Sequence, residues 1–117
     1  MEKFSMTTPL TGEYFTTVRL AVGGLCALAG FDVDTAEDFK VCVTESLLIL
    51  KRNGFISASM TFEMQESLIC RIAGEELGGE KEESPEDEIS RALLSALLGK
   101  VEFVKDSDRV TGIEFEG

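Results

Sequence analysis

Residues 34–53 read DTAEDFKVCVTESLLILKRN, and this stretch predicts the central helix of the fold. It opens with a capping box, in which the side chains of Asp34 and Glu37 each bind the other residue's free backbone amide. Apolar residues fall on nearly every side of the helical wheel, so the helix is predicted to be buried almost all round. Glu45 is an acid in the middle of it, and Asn53 with the following glycine ends it.

A second helix is predicted upstream of this stretch. It runs from Gly12 to about Ala29, and its predicted buried stripe consists of Tyr14, Val18, Ala21, Leu25 and Leu28. Residues 1–9 show no hydrophobic periodicity and predict a loose start to the chain.

Downstream, the sequence predicts a hairpin, an acidic loop, a third helix and a second hairpin. The third helix begins at Ser84-Pro85, and Ile89, Leu93, Ala96 and Leu97 are predicted to face the core. The element order α-α-β-β-α-β-β predicts an α/β sandwich of two layers. Its sheet is expected to be four-stranded and mainly antiparallel or mixed, with about three helices on one face. The predicted strands cover residues 56–64, 68–73, 101–105 and 110–115.

Composition and charge restrict the classes of function. A chain of 117 residues predicts a single domain, residues 1–117. The net charge of −11 argues against a nucleic-acid partner. No apolar run approaches the roughly 18–20 residues that span a bilayer, and no signal peptide is recognisable, so a cytoplasmic protein without membrane contact is expected. The three cysteines lie among apolar residues and predict reduced core thiols, and the lack of histidine removes the usual general base.

The acidic charge is concentrated in one segment. Eight acidic residues and a single base lie between Glu75 and Glu88. One interpretation is a solvated loop followed by a helix N-terminus, where acidic side chains are favoured. The other is a docking surface for a basic protein segment, for which Glu80, Glu82 and Glu83 are the candidate residues.

Two stretches carry a resemblance to a known family. Residues 12–46, GEYFTTVRLAVGGLCALAGFDVDTAEDFKVCVTES, combine an aromatic-rich first helix containing Val-Arg-Leu with a Gly-Phe pair and a capped acidic helix. Residues 92–116, ALLSALLGKVEFVKDSDRVTGIEFE, look like the family's last helix and closing hairpin. The chain thereby resembles the small ATPase domain of the anti-sigma-factor serine kinases, within the GHKL superfamily. The resemblance implies a Bergerat-like ATPase fold, with residues 74–84 as a shortened acidic lid loop. It also implies a protein partner, a sigma factor or its regulator, and pairing into a homodimer.

The first ATP-binding motif of that family is only half present. In the family a glutamate activates the nucleophile, and an asparagine four residues later coordinates Mg²⁺. Glu45 matches the glutamate, as a relic of the general base, but Ile49 stands where the asparagine is expected. An isoleucine cannot ligate Mg²⁺, which requires oxygen ligands. Asn53 is the other amide on this stripe, and it is either a helix-end residue or a displaced metal ligand.

The second motif, Asp-x-Gly-x-Gly, is degenerate too. Residues 72–79 read IAGEELGG and contain no aspartate to bind the adenine amino group. By resemblance the nucleotide-site positions are Gly74, Gly78 and Gly79, and the last two form a candidate phosphate-side loop because glycine allows close backbone approach.

Three functions follow from these observations. The first is a non-catalytic ATPase-like regulatory module that acts by binding a protein, with no cofactor and no metal. The second is an ATP-dependent serine kinase that uses divergent residues and Mg²⁺. The third is a binder of another small molecule in the vacated pocket, which Ile49 and Leu77 would make more apolar. In the first case Glu45 is a structural acid, paired with Lys40, Lys51, Arg71 or an arginine of a partner chain.

Overall fold

The computed structural model describes residues 2–79, 81, 85–98 and 100–117. Its elements run β-α-α-β-β-α-β-β, which adds one strand at the N-terminal end to the predicted order. Their bounds are β1 Lys3–Pro9, a 3-10 turn Gly12–Tyr14, α1 Phe15–Leu28, α2 Val33–Arg52, β2 Phe55–Met64, β3 Leu68–Leu77, α3 Pro85–Leu97, β4 Val101–Asp106 and β5 Arg109–Glu116.

The first strand corrects the loose start predicted for residues 1–9. Residues 3–9 pair antiparallel with β2, and Phe4 and Met6 lie opposite Phe62 and Met60. With only two large apolar residues, β1 has a weak sequence pattern of its own. Its partner strand supplies the apolar face against which these side chains pack.

The sheet has five strands where four were predicted, in the order β1-β2-β3-β5-β4, and every neighbouring pair is antiparallel. The helices cover one face of it. On α2, Phe39 contacts Phe115 of β5 with ring centroids 5.3 Å apart. On α3, Arg91 lies 5.4 Å from the ring centroid of Phe103 in β4, and α1 packs beside α2. The fold is therefore α+β, with a five-stranded antiparallel sheet and three helices, and it is compatible with the predicted two-layer sandwich.

The central helix α2 begins one residue earlier than predicted, and a different residue caps it. Asp32 is the N-cap, and its Oδ1 accepts a hydrogen bond of 2.8 Å from the backbone N–H of Thr35. The capping box predicted at Asp34 is therefore wrong, because Asp34 already lies inside the first turn. Asp32 has the extended backbone that an N-cap residue requires.

This cap makes the stability of the protein depend on pH. The hydrogen bonds that Asp32 accepts from Thr35 lower the pKa of its carboxyl. A lowered pKa in the folded state means that the carboxylate stabilises the fold at neutral pH, and that this contribution is lost as pH falls through the folded-state pKa. We expect Asp32→Ala to lower the melting temperature by a few degrees near pH 7 and by much less in strong acid. Asp32→Asn keeps an uncharged acceptor, so its melting temperature should lack this pH dependence. An equal effect of Asp32→Ala at both pH values would contradict the assignment.

The buried stripe of α1 is shifted from the predicted one. Val18, Val22 and Cys26 are buried, whereas Leu28, predicted to face the core, is 79% exposed. Leu25 packs against the core only partly. Arg19 is the charged residue of α1, and the other residues of the helix give no charge pattern from which its buried side could be predicted. The Nε of Arg19 donates a hydrogen bond of 3.2 Å to the hydroxyl of Thr44 in α2.

The third helix is shifted in the same way. Ile89, predicted to face the core, is 66% exposed, and Ser90 and Leu94 are the buried residues. Of the other predicted core residues, Leu93 and Leu97 are half-buried, and Ala96 is exposed. A serine on the buried side weakens the apolar pattern from which the helix orientation was predicted.

The predicted acidic loop starts later than expected. Residues 74–77 belong to β3, so the loop predicted over residues 74–84 is wrong at its beginning. Among its later residues, Glu80, Glu82, Glu83 and Ser84 lie outside the described part of the chain.

The cysteines lie in the core, as predicted, and carry free thiols. Burial, with the nearby acids Asp38 and Glu45, raises the pKa of the Cys42 thiol to about 12. Burial also raises the pKa values of Cys26 and Cys70. Within the described ranges, the helices are too short or too polar to cross a membrane.

Candidate functional site

The candidate nucleotide positions on α2 lie on one stripe, since Glu45, Ile49 and Asn53 follow each other at intervals of four residues. The stripe occupies the second half of α2. This half of the helix packs against α3 and against the start of β5. The three side chains have different surroundings, and none of them has the environment that a metal or phosphate site requires.

Glu45 points toward α3. Its Oε2 accepts a hydrogen bond of 2.7 Å from the hydroxyl of Ser90, and the same hydroxyl accepts one of 3.1 Å from Nη1 of Arg52. Ser90 is buried, so this contact links the two helices inside the protein. The carboxylate predicted to match the family's general base is therefore engaged by a side chain of the neighbouring helix.

The bases predicted as partners of Glu45 are placed elsewhere. Lys40 forms an ion pair with Glu37, at 2.7 Å from Nζ to Oε1. Arg71 forms one with Glu63, at 3.0 Å from Nη1 to Oε1. In the part of the chain that the structure describes, the bonding partner of Glu45 is a hydroxyl, and no ion pair joins it to Lys40, Lys51 or Arg71. The predicted pairing with a lysine or Arg71 is thus wrong for the isolated chain.

An ion-pair cluster closes the same contact between α2 and α3. Nη1 of Arg52 lies 3.2 Å from Oδ1 of Asp87, and Nη2 of Arg91 lies 3.4 Å from Oδ2 of Asp87. The side chains of Arg52 and Asp87 are 12% and 17% exposed. Because these side chains are mostly buried, water and salt screen the ion pair less than they screen a pair on the surface. The polar contact between α2 and α3 therefore consists of Glu45, Arg52, Asp87 and Ser90 together with Arg91.

Ile49 is a core residue. It is fully buried within the hydrophobic cluster that joins the three helices to the sheet. The side chain at the position predicted from the resemblance to hold a metal ligand therefore packs among apolar groups, which cannot coordinate a hard cation.

Asn53 ends α2 and joins it to β5. Its Nδ2 donates to the backbone carbonyl of Ile49 at 2.8 Å, and its Oδ1 accepts from the backbone N–H of Val110 at 3.0 Å. Asn53 is 1% exposed, so both of its polar atoms are used inside the protein. These contacts are those of a helix-end residue. A displaced metal ligand would need Oδ1 to face an ion.

The two glycines of the candidate phosphate loop are hydrogen-bonded within the chain. The backbone N–H groups of Gly78 and Gly79 both donate to the carbonyl of Gly54, each at 3.0 Å. A phosphate-binding loop directs such N–H groups at its ligand. In this structure that carbonyl occupies both donors.

Gly74 has a packing role. A Cβ atom added to it would overlap the ring of Phe55, which lies across the start of the neighbouring strand. The ring is buried. Gly74 therefore leaves room for the core side chain of Phe55.

The structure does not describe the three acidic residues that were predicted to form a docking surface. Glu80, Glu82 and Glu83 lie outside the described residues. Of the acids beside them, Glu75 and Glu76 are exposed, and Glu75 accepts a hydrogen bond from Ser59.

An open groove of about 570 Å³ lies beside the glycine loop. Leu48 of α2 and Phe55 and Ile56 of β2 form its apolar wall, and Lys51 and Arg52 supply two cationic groups. The vacated pocket predicted from Ile49 and Leu77 is not this groove, because neither residue lines it. Within the described ranges, no three acidic or cysteine side chains are grouped so that they could hold a metal ion.

Comparisons with known proteins give no match: the chain fits no protein-family model and matches no curated protein.

Sequence reasoning missed the contribution of α3 to this site. Asp87, Ser90 and Leu94 follow each other at spacings of three and four residues, which is the periodicity of a helix face. If the predicted buried face of this helix had been allowed to contain one serine and one acid, Asp87 and Ser90 would have been placed toward the core. Their partners on α2 are 35 and 45 residues away in the chain, so the sequence pattern alone could not pair them.

Proposed function

We propose that this chain is a non-catalytic, ATPase-like regulatory module that acts in the cytoplasm by binding a protein partner. The partner class that the sequence resemblance supplies is a sigma factor or a regulator of one. The fold belonging to this proposal is a Bergerat-like one. Neither a nucleotide nor a metal ion takes part in the proposed activity.

One observation carries the proposal: the groups at the nucleotide positions are satisfied within the chain. Glu45 accepts from Ser90, Asn53 joins two backbone groups, and the N–H groups of the glycine loop donate to one carbonyl. Binding Mg²⁺ and phosphates there would require breaking these hydrogen bonds. The two of Asn53 are buried, and each buried group left unpaired costs about 1–3 kcal/mol. That loss would have to be recovered from the nucleotide before any net affinity appeared.

Isothermal titration calorimetry with ATP and with ADP, each with Mg²⁺, tests the first half of the proposal. We expect no binding up to about 1 mM nucleotide, because the internal hydrogen bonds compete with the ligand. Micromolar binding would overturn it in favour of the kinase hypothesis. In that case Glu45→Gln would separate the two roles of the site, since a general-base variant still binds ATP but no longer transfers its phosphate.

A direct titration with purified sigma factors of the source organism tests the second half. Micromolar or tighter binding that ATP does not alter is expected for a regulatory module of this kind. If none of them binds, the anti-sigma assignment is wrong even when the nucleotide result stands.

The groove beside the glycine loop favours the small-molecule hypothesis as a second candidate. Its volume of about 570 Å³ falls within the range of roughly 300–1,000 Å³ that ligand sites occupy. Lys51 would favour an anionic ligand with an apolar body, whereas Arg52 is already paired with Asp87 and the acidic Glu86 also lines the groove. Thermal-shift screening of small carboxylates and phosphates would detect such a ligand through a raised melting temperature.

A further inference from the structure

The sheet has two edge strands, β1 and β4, and β4 is protected against pairing with a further strand. Glu102, Lys105 and Asp106 place charges along β4, and its register with β5 shifts between Val104 and Lys105. Charged side chains and bulges are two of the features by which natural sheets prevent strand addition at an edge. Addition of a strand is therefore disfavoured at β4.

The other edge strand, β1, lacks this protection along most of its length. Its register with β2 runs without a shift from Lys3 to Pro9. Residues 4–8, FSMTT, carry no charge. Within the residues that the structure describes, no strand pairs with the outer side of β1. A regular, uncharged edge of this kind accepts a further strand.

The backbone groups that β1 offers at this edge are those of Ser5 and Thr7. The backbone N–H of Leu10 donates to the carbonyl of Ile56 at 2.8 Å, in register with the pairing of β1 and β2. Bonded and non-bonded pairs alternate in an antiparallel ladder, so the even-numbered residues of β1 bond to β2. The N–H and carbonyl groups of Ser5 and Thr7 therefore point away from the sheet and form a row of four.

An apolar groove lies beside this edge, on the side of the sheet that carries the helices. Its volume is about 350 Å³. Phe4 of β1 and Leu25 and Leu28 of α1 form its walls, and the buried residues Phe62 and Leu68 form its floor. Phe4 and Leu28 are 45% and 79% exposed, so both walls present apolar surface to water.

We propose that the groove between β1 and α1 binds an extended segment of another protein, which adds a strand to the sheet at β1. The backbone of the segment pairs with Ser5 and Thr7, and its alternate side chains enter the groove. In this mode of recognition the main-chain hydrogen bonds supply affinity, and the pockets for alternate side chains supply specificity.

The geometry of β1 places those side chains. Phe4 and Met6 lie on the helix side of the sheet, since their cross-strand partners Phe62 and Met60 are buried there. Residues of an added strand that lie opposite Phe4 and Met6 share that side. They are two positions apart, about 6.6 Å along the strand, and both lie beneath the open end of α1 at Leu28. The segment therefore needs apolar residues at alternate positions.

The charge of the chain selects basic residues for the positions between them. The chain has 22 acidic and 11 basic residues, and the exposed acid Glu2 lies at the groove. Lys3 also lines the groove, but its Nζ lies 3.2 Å from Oε1 of Glu63, with which it forms an ion pair. Complementary charge speeds association and favours one partner over others. The occupant is thus a segment in which apolar residues alternate with lysine or arginine.

A second copy of this chain fits the edge less well. Two copies of net charge −11 repel each other. If β1 paired antiparallel with itself through Ser5 and Thr7, Lys3 would lie opposite Pro9 at both ends. Pro9 has no backbone N–H, so each end of the pairing would lack a hydrogen bond. A separate basic segment has neither disadvantage.

The inference goes beyond the proposed function, because it concerns a surface that neither Glu45 nor Asn53 lines. It also holds for any partner that contains such a segment, whether or not the partner is a sigma factor. Failure of the sigma-factor titration and failure of the peptide experiment are therefore independent results.

Fluorescence anisotropy with a labelled peptide tests the proposal. The probe is fluorescein-labelled Thr-Leu-Lys-Val-Lys-Phe-Thr, in which apolar residues alternate with polar ones. We expect a dissociation constant of about 10–100 µM that rises as NaCl is raised from about 0.05 to about 0.5 M. A peptide of the same composition with its apolar residues adjacent, Thr-Lys-Thr-Leu-Val-Phe-Lys, should bind at least about tenfold more weakly, because these residues cannot share one side of a strand.

N-methylation of the probe tests whether its backbone pairs with β1. In an extended peptide, successive N–H groups point to opposite edges. Methylating either the apolar or the polar residues therefore removes the donors of one edge. One of the two methylated peptides should lose binding, and the other should bind within about threefold of the probe. Equal affinity of both would mean that no strand is added.

Substitutions in the protein test the groove and the edge separately. Leu28→Lys should weaken binding of the probe at least about tenfold, because it places a charge on the groove wall. Leu20→Lys is the matched control: Leu20 is 74% exposed on the same helix but does not line the groove, so the effect should stay below about twofold. Thr7→Pro removes an outward N–H, is compatible with an edge strand, and should also weaken binding.

Hydrogen exchange locates the bound peptide. The amides of Ser5 and Thr7 should exchange rapidly in the free protein and at least about tenfold more slowly when the probe saturates it. The amide of Lys105, on the opposite edge strand, is the control and should not change.

Three results would overturn the inference. The first is no change in anisotropy up to about 1 mM protein. The second is equal binding of the alternating and the clustered peptide, or equal binding by the Leu28→Lys and Leu20→Lys variants, since charge attraction alone would then explain it. The third is a protein dimer in sedimentation that Leu28→Lys dissociates and Leu20→Lys does not, because a second copy would then occupy the edge.

Discussion

Asn53→Ala is expected to lower the free energy of unfolding by about 2–4 kcal/mol. The substitution removes the acceptor of the Val110 N–H group and the second donor to the Ile49 carbonyl. Val110 is fully buried, so water cannot replace the lost partner of its backbone N–H. An unpaired buried donor costs about 1–3 kcal/mol, and the second hydrogen bond adds about 0.5–1.5 kcal/mol. Urea unfolding followed by circular dichroism measures the change.

Lys51→Ala is the matched control for this prediction. Lys51 lies in the same last turn of α2 but is exposed, and a surface substitution of this kind changes stability by about 0.5 kcal/mol or less. If the two variants unfold at the same urea concentration, Asn53 does not join α2 to β5 as the hydrogen bonds indicate.

The central helix is the element that the sequence predicted best, and its composition explains why. Apolar residues surround α2 on nearly every side, so no error in helix orientation could move it out of the core. Its start was misplaced because two acids, Asp32 and Asp34, can each cap a helix. Only backbone geometry distinguishes them, and it favours Asp32.

The orientations of α1 and α3 could not be predicted with the same certainty. On α1, apolar residues lie on both the buried and the exposed side, so the pattern contains two candidate stripes. Leu28 was assigned to the wrong one. On α3, the buried side includes Ser90, whose hydroxyl is satisfied by Glu45 and Arg52 of α2. A buried hydroxyl is tolerated when it is hydrogen-bonded, and its partners depend on tertiary structure.

The candidate site was predicted by position but not by environment. The sequence placed Glu45, Ile49 and Asn53 on one stripe, and the structure shows the same stripe. What covers it comes from distant parts of the chain: Ser90 from α3, the Val110 N–H from β5 and the core around Ile49. Similarly, the carbonyl that engages the glycine loop belongs to Gly54, 24 residues before Gly78. Such long-range pairings are the part of a site that local patterns do not determine.

Ile49→Asn, which restores the family's metal ligand, is expected to destabilise the fold by about 3–5 kcal/mol and to create no affinity for Mg²⁺-ATP. Ile49 is fully buried in the core. The substitution therefore removes apolar packing and introduces an amide whose polar atoms have no partners there. The aspartate of that family's second motif cannot be introduced at Gly74 either, since any side chain there overlaps the ring of Phe55. Residues of the family's ATP motif would therefore have to replace core packing at Ile49 and Gly74.

Two substitutions control for this result. Ile49→Val shortens the side chain without adding a polar group and should cost only about 0.5–1.5 kcal/mol. Leu48→Asn makes a comparable apolar-to-amide change at the neighbouring half-buried position, where water reaches the groove, and its effect should be less than half that of Ile49→Asn. Urea unfolding measures all three, and calorimetry with Mg²⁺-ATP follows on whichever variants remain folded.

An Ile49→Asn protein of nearly wild-type stability that binds Mg²⁺-ATP would show that this position faces a nucleotide pocket, and the non-catalytic proposal would fail. Destabilisation by Ile49→Asn alone, without binding, would mean that residue 49 belongs to the core and does not face a nucleotide pocket.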